Sequence, residues 1–223
     1  MLAYFGFFML GSLGIFRFAP SASAAFGALL SAVTLLVPLC CLVFGTLYFY
    51  QSRGFHELMF AQPIGRAPLC LGQYFALSSA LGLAFVLAAG IPMAAYGFST
   101  NGDIGLLAVF VGGGLLLHLA FLALAFWIAV SIEDRLRGFS TSLLIWIALV
   151  FGYDALVMGL VMRFSDYPLE TGVLAAMLLN PVDLERVLVL MHLDTSALLG
   201  YTGAAFQKFF GTRSGTWISL WAL

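Results

Sequence analysis

The chain has 223 residues, 63% of them hydrophobic, and carries nine Lys and Arg against ten Asp and Glu. Its mean hydropathy is +1.08. Soluble domains run near ~25% charged residues, so this surface cannot all face water, and lipid must solvate much of it. A net charge of −1 leaves no basic excess to meet a phosphate backbone, which argues against nucleic acid as a partner.

A hydrocarbon core of ~30 Å needs runs of roughly 20 apolar residues at a helical rise of ~1.5 Å. The first such run, 2–18, is short and is interrupted near its end by Arg17. No Lys or Arg precedes it as in a signal peptide, so it is expected to be a span that begins part-way. The second, 24–50, contains Pro38, which would kink a helix by freeing backbone carbonyls. Just after it come Cys40 and Cys41; with Cys70 they make three cysteines without the spacing of a disulfide framework. They suit buried apolar thiols or, with the methionines, a soft-metal path.

The loop 51–73 follows. Phe55, Leu58 and Met59 ahead of a Gln62-Pro63 stop describe a short amphipathic helix. It could dock on a soluble partner or lie against lipid. The third span covers 74–98 and holds Pro92; the fourth covers 104–132 and holds Gly112-Gly113-Gly114 and His118. The glycines allow close helix approach or local flexibility. The fifth, 139–162, holds Asp154. Counted from the cytoplasmic ends, His118 and Asp154 each lie about 14 or 15 residues deep, ~21 Å, and are expected at one level. Ionisable groups there serve a proton or substrate route, or hydrogen-bond each other and fix the packing of the two spans.

Arg53 and Arg66 lie between spans two and three, Arg135 and Arg137 between spans four and five; both loops are expected in the cytoplasm. Segment 163–215 then lies outside. Asn180-Pro181-Val182-Asp183 combines a capping side chain, a proline at the first helical position and an acid in the first turn. Leu184, Val187, Leu188 and Met191 follow at helical spacing. A second amphipathic piece is expected from Asp194-Thr195 through Leu198, Leu199 and Tyr201 to Phe206, Phe209 and Phe210. These helices would lie at or dip into the membrane surface, or cap the spans. The last apolar run, 216–223, is too short to cross and reads as the start of a sixth span, with Trp217 and Trp221 suited to the interfacial belt. The expected fold is all-α: one polytopic membrane domain, 1–223, of about six transmembrane helices, the last truncated, with amphipathic outer helices between spans five and six.

No Walker-type GxxxxGK[ST], HExxH, paired CxxC or GxSxG occurs. The expectation is therefore a chain that is not an enzyme and binds neither metal nor cofactor itself.

The loop carries a more specific pattern: Arg53-Gly54, Glu57-Leu58, Gln62-Pro63-Ile64, Arg66 and Leu71-Gly72-Gln73-Tyr74. It resembles the loop after the second span of ABC-2 type permeases. Leu178-Leu179-Asn180-Pro181-Val182-Asp183 with Arg186-Val187-Leu188, then Gly200-Tyr201-Thr202-Gly203, is similar to the stretch before the last span in the NosY-like branch, whose members accompany nitrous-oxide reductase maturation. Gln51-Ser52-Arg53 stands where that family usually has an acidic cluster, Phe55 stands where it usually has Thr, and the amphipathic elbow usual before the first span is not seen. The resemblance implies a permease subunit shortened at both ends, in a bacterial inner membrane, with short basic loops in the cytoplasm. Its coupling helix, carried by Arg53, Gly54, Phe55, Glu57, Leu58, Gln62, Pro63 and Arg66, would dock on a separate ATP-binding subunit that holds ATP and Mg. A second permease copy would complete the route, lined by spans two and five. Asn180, Pro181, Asp183 and Arg186 would close its outer mouth or receive a periplasmic protein. The cargo implied is linked to copper-site maturation. From another class, a non-transporting membrane scaffold would fit the sparse polar lining; a secondary transporter would need a repeated pair of broken, charged spans.

Overall fold

The computed structural model describes residues 1–60, 65–97, 104–163 and 179–192, and every regular element among them is helical. In chain order they are α1 (Leu2–Phe18), α2 (Ala22–Gln51), α3 (Arg53–Phe60), α4 (Arg66–Gly97), α5 (Ile104–Ser131) and α6 (Arg135–Ile147). A π-helical turn (Ala148–Gly152) leads from α6 into α7 (Tyr153–Arg163), and α8 (Pro181–His192) follows. The protein is an all-α, multi-pass membrane protein. Ala24–Gln51, Ala67–Tyr96, Gly105–Ser131 and Arg135–Arg163 are each long and apolar enough to cross a bilayer; Leu2–Phe18 is a shorter apolar helix. The second outer piece at 194–210, the run at 216–223, Gln62 and Pro63 lie outside the described residues, as do the side chains of Glu57, Arg66 and Met191.

Helix starts are set by capping rather than by hydropathy. The Asp134 carboxylate accepts from the N–H groups of Leu136 and Arg137 at 2.7 and 3.1 Å, so α6 begins at Arg135, ahead of the apolar run expected from 139. α4 also begins ahead of its apolar run, at Arg66 rather than 74. Hydropathy marks where lipid begins, whereas a helix begins where its free N–H groups find acceptors. Pro38 and Pro92 both lie inside continuous helices.

The bundle is built around α5, which packs on α2, α4 and α8, while α1 lies on α4 and α6 on α2. Its core is aromatic and leucine-rich, with Phe85, Phe110, Phe121, Leu42 and Leu117 fully buried. Small residues set how closely the helices approach. A Cβ on Gly45 of α2 would stand 2.6 Å from the Ala125 Cβ of α5, and one on Gly114 would meet the Phe85 ring at 2.5 Å. A Cβ on Gly113 would meet the Glu185 side chain of α8 at 3.0 Å. Two of the three consecutive glycines are thus seats for side chains of neighbouring helices. The span formed by α6 and α7 differs from the others: only 6% of its most apolar window is buried in the chain, against 50% for α2.

Candidate functional site

At the end of the bundle that holds α3, polarity is reversed. The Arg53 guanidinium donates to the carbonyls of Glu133 (2.5 Å), Ile132 (3.2 Å) and Ala129 (3.4 Å) and lies 4.5 Å over the Tyr50 ring. These carbonyls end α5, where no further turn supplies donors, so Arg53 caps another helix through space. The Tyr50 hydroxyl donates to the Ile132 carbonyl at 2.9 Å. That hydroxyl fits because position 138 is glycine: a Cβ there would clash with it and stand 2.7 Å from Tyr50 Cζ. One turn along α3, His56 is buried and its Nε2 donates to Gln73 Oε1 of α4 at 2.6 Å, with its ring on Phe49.

Arg53 and His56 of α3 are therefore bonded to neighbouring helices. Phe55 and Leu58 are turned out, at 51% and 73% exposed, with Met59 half-buried. Gly54 is exposed with open space around it. Arg53, expected among the docking residues, is half-exposed while it donates to the end of α5. Beside this hook runs an open groove of about 730 Å³, lined among others by Glu133, Asp134, Arg137, Ser140 and Thr141. The N–H groups of Arg137 and then Leu136 hold the Asp134 carboxyl below its ordinary range.

Within the bundle, His118 does not pair with Asp154. Its Nδ1 faces the Gly114 carbonyl at 2.6 Å and so carries the proton, leaving Nε2 to accept from the Tyr4 hydroxyl of α1 at 2.6 Å. The imidazole is buried against Phe85. Asp154 instead meets Arg186 of α8, Oδ2 to Nη1 at 3.3 Å. Depth counting fixes a residue's level on a helix but not the direction it faces, and these two face different neighbours.

At the other end, α8 is fixed to the broken span. Asn180 Oδ1 accepts from the Val182 N–H at 3.2 Å, and Nδ2 donates to Asp183 Oδ2 at 3.0 Å and to the Leu149 carbonyl at 2.9 Å. Leu149 lies in the π turn, whose wider winding frees a carbonyl for an outside donor. Pro181 opens α8 and Asp183 stands in its first turn, as the sequence predicts. Asp183 is 6% exposed, and its carboxyl is pushed up to about 7 by burial and then by the neighbouring Asp154, against the opposing pull of Arg186 and Asn180. Val182, Leu184, Val187, Leu188 and Val189 are all buried, so α8 is packed into the bundle.

Sequence reasoning passed over Glu185. It is 0% exposed, and among the described residues neither carboxyl oxygen has a hydrogen-bond partner; burial alone pushes it up to about 8. Helical spacing gives the available signal, since 181, 185 and 188 share one stripe and Leu188 is a core residue.

Among the described residues no group of three or more His, Cys, Asp and Glu is placed to hold a metal ion. No protein-family model matches the chain. It is similar to a probable ABC transporter permease protein NosY of Pseudomonas aeruginosa, 26% identical over 230 residues, spanning 99% of this chain and 82% of that protein. It is also similar to the probable ABC transporter permease protein NosY of Stutzerimonas stutzeri, 25% identical over 203 residues, 87% of this chain and 72% of the relative.

Proposed function

We propose that this chain, a NosY-like permease subunit of an ABC transporter, moves its cargo by receiving force on α3 from a separate ATP-binding subunit that hydrolyses ATP with Mg. The observation that carries this is the reversed polarity of α3. Exposed Phe55 and Leu58 on a helix whose Arg53 and His56 are bonded to neighbouring helices leave an apolar face that a partner's cleft would cover. Arg53 and His56 fix that helix to the ends of α5 and α4, so a push on α3 reaches the spans rather than being absorbed by a loose loop.

The remainder follows from this orientation. With Arg53, Arg66, Arg135 and Arg137 on the cytoplasmic side, α8 lies towards the opposite face of a bacterial inner membrane. There Asn180, Pro181, Asp183 and Arg186 shape the outer mouth or receive a periplasmic protein. The sparsely covered α6 and α7 face lipid and a second copy of the chain, which completes the route. The NosY resemblance carries a role in copper-site maturation.

The test is co-purification of the full chain with a Walker-containing ATPase. Phe55→Asp and Leu58→Asp, both at exposed positions, are expected to abolish the complex and chain-dependent ATP hydrolysis while leaving thermal unfolding of the chain unchanged. A complex that survives both substitutions removes the coupling role from α3.

A further inference from the structure

Glu185 has no counterpart elsewhere in the described protein. It sits on Gly113 so closely that a Cβ on the glycine would lie 3.0 Å from Glu185 Cγ and 3.5 Å from Oε1. It is 0% exposed and its oxygens have no partner among the described residues. An ionised carboxylate in such surroundings costs several kcal/mol unless a positive group answers it. None faces it. Apart from His118, already bonded to Tyr4 and the Gly114 carbonyl, α5 carries no titratable side chain, and α2 carries no charge along its length, only Cys40, Cys41, Tyr48 and Tyr50. From α7 come Tyr153, Asp154, which is paired with Arg186, and Arg163 at the far end of the helix, while α8 itself ends in His192. On α8 itself Asp183 is bonded to Asn180, and two positions along the helix turn it to a different side from Glu185.

From this geometry we infer that Glu185 is a proton-binding site whose occupancy holds α8 in its seat on α5. The bound proton makes the side chain a neutral carboxylic acid that the glycine seat can hold without a counter-charge. A proton suits the site because a metal ion would need several ligands, and among the described residues no group of three or more His, Cys, Asp and Glu is placed to hold one. When the proton leaves, an unanswered carboxylate remains in the seat and the stable position for Glu185 is in water, which requires α8 to lift from Gly113. The site stands on the packing of α8, not on the docking role of α3, so loss of one leaves the other intact.

Linkage fixes the sign. The carboxyl holds its proton up to about 8 in the folded chain against an ordinary 4.5. The contribution to stability is therefore whole below 4.5 and is lost as pH rises towards about 8. Asp183, raised from 3.8 to about 7, acts in the same direction and must be separated. The measurement is the protonated-carboxyl C=O stretch in infrared spectra of the full chain in detergent, across that pH window, for Asp183→Asn and for Asp183→Asn with Glu185→Gln. The first is expected to keep a protonated band that titrates near 8, and the second to lose it. In parallel, Glu185→Gln should remove one proton's worth of slope from Tm against pH. An Asp183→Asn spectrum without a protonated band at neutral pH overturns the proposal even if the glutamine variant fails to fold. An unchanged Tm slope in a folded Glu185→Gln variant overturns it as well.

Discussion

The two short helices at opposite ends of the bundle handle polarity in opposite ways. In α3, Arg53 and His56 spend their hydrogen bonds on the carbonyls ending α5 and on Gln73, and the apolar Phe55 and Leu58 are left outside. In α8 both kinds of side chain go inward: Val182, Leu184 and Leu188 are buried, but so are Asp183 and Glu185. A helix with satisfied anchors and an uncovered apolar face is stable in place and waits for something external. A helix with buried acids has a resting position that depends on how those acids are charged.

Six substitutions separate these behaviours. The largest effect is expected for Gly138→Val, which drives a side chain into Tyr50, breaks its bond to the Ile132 carbonyl and loosens the stack with Arg53. Overpacking and the lost bond together should cost about 3 kcal/mol, seen as a lower Tm of the chain and a weakened ATPase complex. Gly113→Val at the other end should displace Glu185 and expose α8 to protease while sparing that complex. If both glycine variants fail in the same way, the two ends are not independent. Next is Arg53→Ala, which strips three carbonyls of a charged donor and should cost ~1.5–3 kcal/mol. Arg53→Lys should recover less than half of that, because one ammonium cannot reproduce the guanidinium fork. Paired with Leu58→Asp, it tells anchoring from docking, since only Arg53 substitutions should move Tm. The smallest effect is expected for Arg186→Ala. The Arg186–Asp154 pair is only partly covered by the chain, 37% and 45% exposed, and should contribute ~0–1 kcal/mol to stability, seen as a small drop in Tm.

Much of this fold was legible because lipid imposes a simple rule. The spans at 24–50 and 104–132 fall within a residue or two of α2 and α5, and the capping run Asn180-Pro181-Val182-Asp183 does begin a helix whose Leu184, Val187 and Leu188 are buried. What stayed hidden depends on direction around a helix axis or on a partner distant in sequence. Tyr4 meets His118 across 114 positions, a pairing that no local pattern encodes. Arg53 looked like a surface charge because its acceptors are backbone carbonyls, which every sequence has and none advertises. Glu185 was missed for a related reason: its counterpart, Gly113, contributes an absence of side chain rather than a complementary group. The π turn at Ala148–Gly152 leaves no mark on hydropathy at all, being apolar like its flanks.

That turn also sets a register. An α-helix advances ~100° per residue, and a π turn accommodates the equivalent of a single additional residue. Everything beyond Gly152 is thereby rotated relative to an unbroken span. The rotation is what brings Asp154 round to Arg186 while the freed Leu149 carbonyl accepts Asn180. Shortening 148–152 by one residue should turn α7 back by roughly 100° and withdraw both attachments of α8 together, although no contacting side chain has been altered. Length at this point is therefore as much a part of the outer helix's recognition as the identity of any amino acid in it.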